Sequence, residues 1–288
     1  MRKAFSKARF LVFDEADRML DQGFEEELAT ILDALPEKRQ TLLFSATITK
    51  SIAAIQEVTG REAFHFRAYE GLQVADNLRQ EYMFIPAKVK EVYLTHMLHA
   101  LEEHNVRSVM VFVNTCRMCQ LLQVMLEELG FRSAALHAQN SQGRRLAALE
   151  KFKSGLVPIL LATDVASRGL DIPTVDMVVN FDLPVAARDY VHRVGRTARA
   201  GRRGWALSLV TQYDVKLVHE IEGIIEQELV EHAVEEADVL KGMTAVYTAR
   251  RLGTLKLSEA GGFDEQASEK KKRYKANRLR KEAAKNGV

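Results

Sequence analysis

Asp14-Glu15-Ala16-Asp17 follows the apolar run Phe10 to Phe13, which puts its carboxylates at the carboxyl end of a short buried strand. Ligand sites in open α/β sheets form at such ends. One acid there can hold Mg²⁺ on nucleotide phosphates while its neighbour orients a water for in-line attack on the terminal phosphate. The alternative is an N-capping Asp with acids in a helix's first turn, where the helix dipole favours them. Ser45 and Thr47 end a second apolar run, Thr41 to Phe44, and their hydroxyls can hydrogen-bond the acids of the first; a plain helix cap is the competing reading. Far along the chain, Ala162-Thr-Asp-Val-Ala-Ser-Arg-Gly-Leu-Asp171 follows the apolar run Ile159 to Leu161, so Thr163, Asp164, Arg168 and Asp171 also sit at a strand's end. Arg193, Arg196 and Arg199 then recur every three residues. On a helix that spacing keeps guanidinium groups near one side, to meet a polyanion or the charge of a phosphoryl transition state. A solvated basic helix is the alternative, less apt here because His192, Gly195 and Gly201 lie among the arginines.

Several elements must position these groups. In the first part, two apolar strands flank a helical stretch that places Met19, Leu20, Phe24, Leu28 and Leu32 roughly on one face. After residues 60–77, which read as a linker, the alternation resumes with strands expected at Glu81–Pro86, Ser108–Asn114, Arg132–His137, Pro158–Thr163, Met177–Asp182 and Trp205–Val210. Continuous apolar strands alternating with amphipathic helices predict an α/β fold, a parallel sheet with helices on both faces. Leu217, Val218, Ile221, Ile224, Ile225 and Leu229 predict a closing amphipathic helix, and a further helical stretch follows near Val234–Arg251. The expected organisation is therefore a partial first domain (1–59), the linker, a complete domain (78–230), a helical extension (231–260) and a basic disordered tail (261–288).

These motifs, with the Val111–Val113 strand and the pair Gln142 and Arg145, resemble in order and spacing the DEAD-box RNA helicases, from about Arg9 to Val210. The resemblance implies RecA-like domains that use ATP and Mg²⁺ to separate RNA strands locally by bending one of them. It implies that Asp14 holds Mg²⁺ through its hydration shell and Glu15 activates the attacking water, while Asp17, Ser45, Thr47 and His192 couple the two halves. Gly169 and Asp171 would meet ATP, Asp171 at its ribose, and Arg196 and Arg199 would reach the γ-phosphate as arginine fingers. Gln142, Arg145, Thr163 and Asp164 would lie toward RNA. Ala198 stands where the family more often has Gly, a methyl tolerated if the backbone there is helical. Thr211–Glu222 and Val234–Leu240 look like the nucleolar members that mature the small ribosomal subunit, which implies pre-rRNA and ribosome-assembly proteins as partners, action as a monomer, and a nuclear, nucleolar location.

Nucleotide chemistry of this kind also needs a phosphate cradle, G-x-x-x-x-G-K-[ST] at a helix start. None of the 16 glycines is followed by Lys. The expectation is an N-terminally truncated helicase with little ATPase of its own, or a binding module that holds RNA or a partner without hydrolysis. Cys116-Arg-Met-Cys119 has redox or zinc spacing, but a structural zinc site needs four ligands and no second pair exists. His96, His99 and His104 share a stretch with Leu94, Met97, Leu98 and Leu101 and read as helix positions rather than metal ligands, and Trp205 reads as core. The 288 residues carry 41 Lys and Arg against 39 Asp and Glu and two cysteines, which excludes a disulfide scaffold and a wholly disordered chain. No apolar run approaches a membrane span, so an intracellular protein with no membrane partner is expected.

Overall fold

Val109–Phe112, Ile159–Ala162 and Met177–Asn180 are each buried along their whole length, as strands covered on both faces must be. The computed structural model describes residues 5–16, 25–45, 64–66, 74–167, 170–199 and 201–259. The chain divides into two units, Met1–Gln73 and Val74–Val288.

In the first unit, β1 (Phe10–Phe13), α1 (Glu25–Ala34) and β2 (Gln40–Leu43) form a β-α-β turn of chain, with β1 and β2 parallel and Phe10 opposite Gln40. Alternation decides which side is dry. Leu11 and Phe13 pack with Ala16, Leu28 and Leu32, while Phe10 and Val12 point the other way and are 63% and 54% exposed. Met19, Leu20 and Phe24, expected on the same helical face, lie outside the described residues.

The second unit contains β3 (Leu78–Phe84), α2 (Lys90–His99), β4 (Val109–Phe112), α3 (Cys116–Glu128), β5 (Ser133–Leu136), α4 (Gln142–Lys153) and β6 (Ile159–Ala162). It continues with α5 (Asp164–Ser167), β7 (Met177–Asn180), α6 (Ala187–Val194), β8 (Gly204–Val210), α7 (Val215–Ile225), β9 (Val230–Glu231), α8 (Glu236–Leu240) and α9 (Met243–Glu259). The sheet has seven strands in the order β5-β6-β4-β7-β8-β3-β9, and every pairing is parallel. The α/β class and both-face covering are as the sequence pattern requires. The edge strand β9 was not foreseen, because two residues carry no periodicity.

Strand alternation sorts the core. Val109, Val111, Ile159, Leu161, Met177 and Val179 face α2, α3 and α9, whereas Met110, Phe112, Leu160, Ala162 and Val178 face the opposite side, with Leu149 and Phe152 of α4. Tyr190, Val194, Val218 and Ile221 cover the β8 end of that second side. Fully burying such side chains is worth about 1.5–3 kcal/mol each. The extension belongs to this body. A Cβ on Gly253 of α9 would stand 3.5 Å from Leu121, Val124 and Met125 of α3, so the two helices cross closely.

The arginine-rich stretch departs from expectation. α6 stops at Val194, and the Gly195 N–H turns back onto the Val191 carbonyl at 2.9 Å. Arg196 and Arg199 therefore lie in a turn rather than on the helix that carries Arg193, and their three-residue spacing does not put the three guanidinium groups on one helical face. Ala198 is not helical either: its φ is 54°. The left-handed region costs an L-residue roughly 1–2 kcal/mol, so the methyl that a helical backbone would tolerate is strained here.

This turn presses on the start of β8. A Cβ at Gly204 would lie 2.5 Å from the Ala198 amide nitrogen and 2.5 Å from Thr197 Oγ1. Backbone in that position cannot swing aside. Gly204→Ala is expected to destabilise the second unit by about 1–3 kcal/mol, read as a lower urea midpoint with unchanged slope; an unchanged midpoint would mean that the turn yields.

Candidate functional site

All seven strands of the second unit run the same way, so its loops divide by sheet edge. The carboxyl edge carries Asn114 after β4, Thr163 and Asp164 after β6, Asp182 after β7, and the start of α4 with Gln142 and Arg145. The amino edge carries the Arg196–Arg199 turn ahead of β8 and also Asp171 ahead of β7; Asp171 does not share the carboxyl end of β6 with Thr163 and Asp164 as its sequence position suggested, because the chain has already turned back through α5. Four-residue strands such as β4 separate the two edges by about 13 Å. Hydrogen bonds confirm the grouping at the amino edge. The Val175 N–H donates to the Arg196 carbonyl at 3.1 Å, and Thr197 Oγ1 donates to the Val175 carbonyl at 2.6 Å. Lys153, at the far end of α4, pairs with Asp171 at 2.9 Å, although Asp171 remains 94% exposed.

Arg193 joins the edges. Its backbone lies in the last turn of α6, and helical side chains lean toward the N-terminus, so its guanidinium reaches back to the carboxyl edge. The side chain is 1% exposed. Nε and Nη2 donate to the two Asp164 carboxylate oxygens at 2.7 Å each, Nη2 also to Asn114 Oδ1 at 2.9 Å, and Nη1 to the Asp182 carbonyl and to Asn180 Oδ1. The plane stacks 5.1 Å from the Phe112 ring centroid. A guanidinium has five N–H donors, and all five are met. Arg193 is thus turned inward, away from any polyanion, and Asp164, expected toward RNA, commits both oxygens to it.

Asn114 and Asp182 were not singled out from the sequence. Asp182 accepts from Lys90 Nζ at 2.9 Å and from the Asn114 N–H at 3.1 Å. The available signal was a polar residue directly ending a fully buried run. On the carboxyl edge, Arg145 donates to Gln142 Oε1 at 3.2 Å and to the Ala166 carbonyl at 3.0 Å, which aligns α4 with α5. The Thr163 hydroxyl is buried with no hydrogen-bond partner among the described residues. His192 lies on α6 beside Arg193.

In the first unit, Asp14 is exposed directly after β1, with Oδ1 accepting from the Glu15 N–H at 3.0 Å. Glu15 has φ 51°, so the acid pair sits on a strained turn rather than in a helix's first turn. Such strain clusters at functional sites. The Ala16 N–H donates to the Phe44 carbonyl at 3.0 Å, tying the acids to the segment that carries Ser45. Asp17, Thr47, Arg168 and Gly169 lie outside the described residues, as does the basic tail 261–288.

The remaining candidates settle into structure. Cys116 opens α3 under a Thr115 cap, and Cys119 is fully enclosed, where burial pushes its thiol well above the usual range. Among the described residues no group of three or more His, Cys, Asp or Glu is arranged to hold a metal, and no helix is long and apolar enough to cross a membrane. The His99 ring packs on Phe131 and His104 on Trp205, at 4.8 and 5.0 Å between centroids. Trp205 is core, with its indole N–H on Glu81 at 2.9 Å.

Comparison with known proteins follows the same division. The family model described as DEAD/DEAH box helicase matches residues 1–55, and that of the helicase conserved C-terminal domain matches residues 87–201. A rice (Oryza sativa subsp. japonica) protein named DEAD-box ATP-dependent RNA helicase 36 is 50% identical over 98% of this chain and 56% of its own length. The chain thus spans about half the length of the curated relatives it matches. Among solved structures, the E. coli DEAD-box protein SrmB, bound to regulator of ribonuclease activity A, is 36% identical over 55% of this chain and 92% of that one, with a TM-score of 0.52. S. cerevisiae Dbp5 bound to RNA and ADP BeF3 is 29% identical over 85% of this chain and 64% of that one, with a TM-score of 0.73.

The Arg193–Asp164 pair gives an asymmetric expectation. Asp164→Ala leaves a guanidinium 1% exposed without its carboxylate, whereas Arg193→Ala leaves a carboxylate 21% exposed that water can reach. Asp164→Ala should cost about 3–5 kcal/mol and Arg193→Ala less, measured by urea unfolding of the two variants. The reverse order would show that the arginine is not the buried partner in solution.

Proposed function

Because the chain belongs to the DEAD-box family of ATP-dependent RNA helicases, we propose that it is the part of such an enzyme that grips RNA and helps complete nucleotide hydrolysis. The coupled activity is local unwinding of RNA duplexes or remodelling of RNA–protein particles, with pre-rRNA as the substrate, ribosome-assembly proteins as partners, the nucleolus as its place and a monomer as the working form. The observation that carries the reading is Arg193: one buried side chain links the loop bearing Arg196 and Arg199 to the edge bearing Thr163 and Asn114. A change sensed at the phosphate-facing arginines then has a stiff route to the RNA-facing edge.

The proposed roles follow residue by residue. Gln142, Arg145 and Thr163 contact the RNA backbone, which positions without specifying sequence. Asp164 acts through Arg193 rather than on RNA. Gly169 and Asp171 meet the nucleotide, and Arg196 and Arg199 neutralise charge on the transferring phosphoryl group. Asp14 and Glu15 supply the Mg²⁺ contact and the water-orienting base, with Asp17, Ser45, Thr47 and His192 coupling them to the rest. The fit to Mg²⁺ and ATP is partial. Asp14 is exposed at a strand end, as a metal-facing acid must be, but no G-x-x-x-x-G-K-[ST] cradle occurs in these 288 residues. ATP with Mg²⁺, when bound, supplies the phosphoanhydride whose cleavage drives the cycle.

The missing cradle favours a second reading for the chain taken alone: an RNA-binding body that does not hydrolyse ATP. Purified 1–288 is expected to bind single-stranded RNA with an affinity that falls steeply with salt and to turn over ATP at background rate. Joined to a cradle-bearing first domain, it should show RNA-stimulated turnover that Glu15→Gln or Arg196→Ala lowers by orders of magnitude. RNA-stimulated, Glu15-dependent turnover by 1–288 alone would overturn the partition.

A further inference from the structure

Beyond Asn114, the carboxyl edge of the sheet continues through β7, β8 and β3, and here the extension helix α9 leans over it. An open cavity of about 670 Å³ lies between the strand ends and α9, lined by Lys88, Phe181, Asp182, Tyr213, Tyr247 and Arg250 among others. A nucleotide fits such a volume, and clefts at strand carboxyl ends are the usual place for ligands in these sheets.

The charges are what select the ligand. Each acid lining the cavity is already held: Glu91, buried, by Arg250 at 3.3 Å, Asp182 by Lys90 and the Asn114 N–H, and Asp214 by the Thr211 amide and hydroxyl. Lys88 is exposed and meets no carboxylate among the described residues. Two aromatic rings complete the mouth. Tyr213 is 80% exposed in the turn after β8, and Tyr247 of α9 is fixed by its hydroxyl on the Lys88 carbonyl at 3.2 Å. A free cation beside exposed aromatic faces, with two of the three acids paired to cations and the third engaged by an amide and a hydroxyl, is the chemistry of single-stranded nucleic-acid binding: phosphate on the ammonium, bases on the rings.

Position supports the same ligand. Neighbouring strands lie about 4.8 Å apart, so β8 stands three spacings, roughly 14 Å, from β6 along one edge. A strand of RNA held at Thr163 after β6 reaches the cavity by following that edge.

We propose that this cavity is an additional nucleotide-binding subsite, built jointly by the sheet edge and the C-terminal extension. It takes one nucleotide of the same single strand, with its base against Tyr213 and Tyr247 and its phosphate on Lys88. The proposal rests on the RNA-binding reading above and lengthens the track. α9 then has a function besides covering α3: it supplies one wall of the RNA path.

The test uses residues 1–288 with oligouridines of 5 and 12 nucleotides, the longer carrying 4-thiouridine at each position in turn. Lys88→Ala and Tyr213→Ala alter exposed side chains, and circular dichroism checks that both variants stay folded. The expected result is that Tyr213→Ala weakens the 12-mer roughly tenfold and leaves the 5-mer unchanged, with Tyr213→Phe restoring affinity. Lys88→Ala should reduce the salt slope for the 12-mer by about 0.7, and one thiouridine position should crosslink to Tyr213 or Tyr247. If the wild-type chain binds both RNAs and neither variant changes the 12-mer, the subsite is refuted, the RNA-binding reading stands, and the cavity belongs to a protein partner. If the wild-type chain binds neither RNA, the functional reading itself falls and the subsite with it.

Discussion

A guanidinium shut away from water must find an acceptor for every N–H it carries, because each one left bare costs a desolvation penalty. Arg193 meets that demand with four residues from three different strand ends: Asp164 after β6, Asn114 after β4, and Asn180 at the end of β7 with the Asp182 carbonyl just beyond it. No single loop could satisfy it. The register of β4, β6 and β7, the length of the loop into α6 and the termination of α6 at Val194 all have to agree before the five bonds close. The arginine is therefore a check on the assembled sheet. It specifies the arrangement, since a slip of one strand would leave a buried charge unpaired.

The same side chain spans the two edges of the sheet. Parallel strands send all their carboxyl ends one way, so Asn114, Thr163, Asp164 and Asp182 collect at one edge, and the returning helices carry their last turns to the other. Asp171 and the Arg196–Arg199 turn stand at that second edge, held together through Val175 and Thr197. A long side chain leaning back along α6 is a short way to connect edges about 13 Å apart. Two of the four described non-glycine residues with positive φ stand beside these groups, Glu15 next to the first unit's acid and Ala198 between the two arginines; the others are Asn105 and Glu226.

Much of this was legible beforehand. Apolar runs bounded by polar residues marked β4, β6 and β7, because a strand buried on both faces admits no alternation, whereas β3 carries Arg79, Gln80 and Glu81 and starts three residues before its expected place. The motifs fell at strand ends for the same reason, since a buried run has to stop where its chain meets water. What periodicity could not give was the fate of the arginines. A three-residue spacing is helical only while the helix lasts, and Gly195 ends it two residues before Thr197 makes its own bonds. Nor could it reveal β9, whose two residues owe their pairing to β3.

The amino-acid sequence by itself determined the class of fold, the strand-end placement of Asp14, Thr163 and Asp164, and the family, because these depend on local composition and on motif order along the chain. Tertiary structure alone decided which charged groups face solvent and which face each other. Arg193 and Arg196 look alike in sequence, three residues apart in one basic run, yet one is core and the other belongs to a turn at the sheet's edge. That difference is made by partners up to 79 residues away, and burial of a charge is settled only where all its acceptors arrive together.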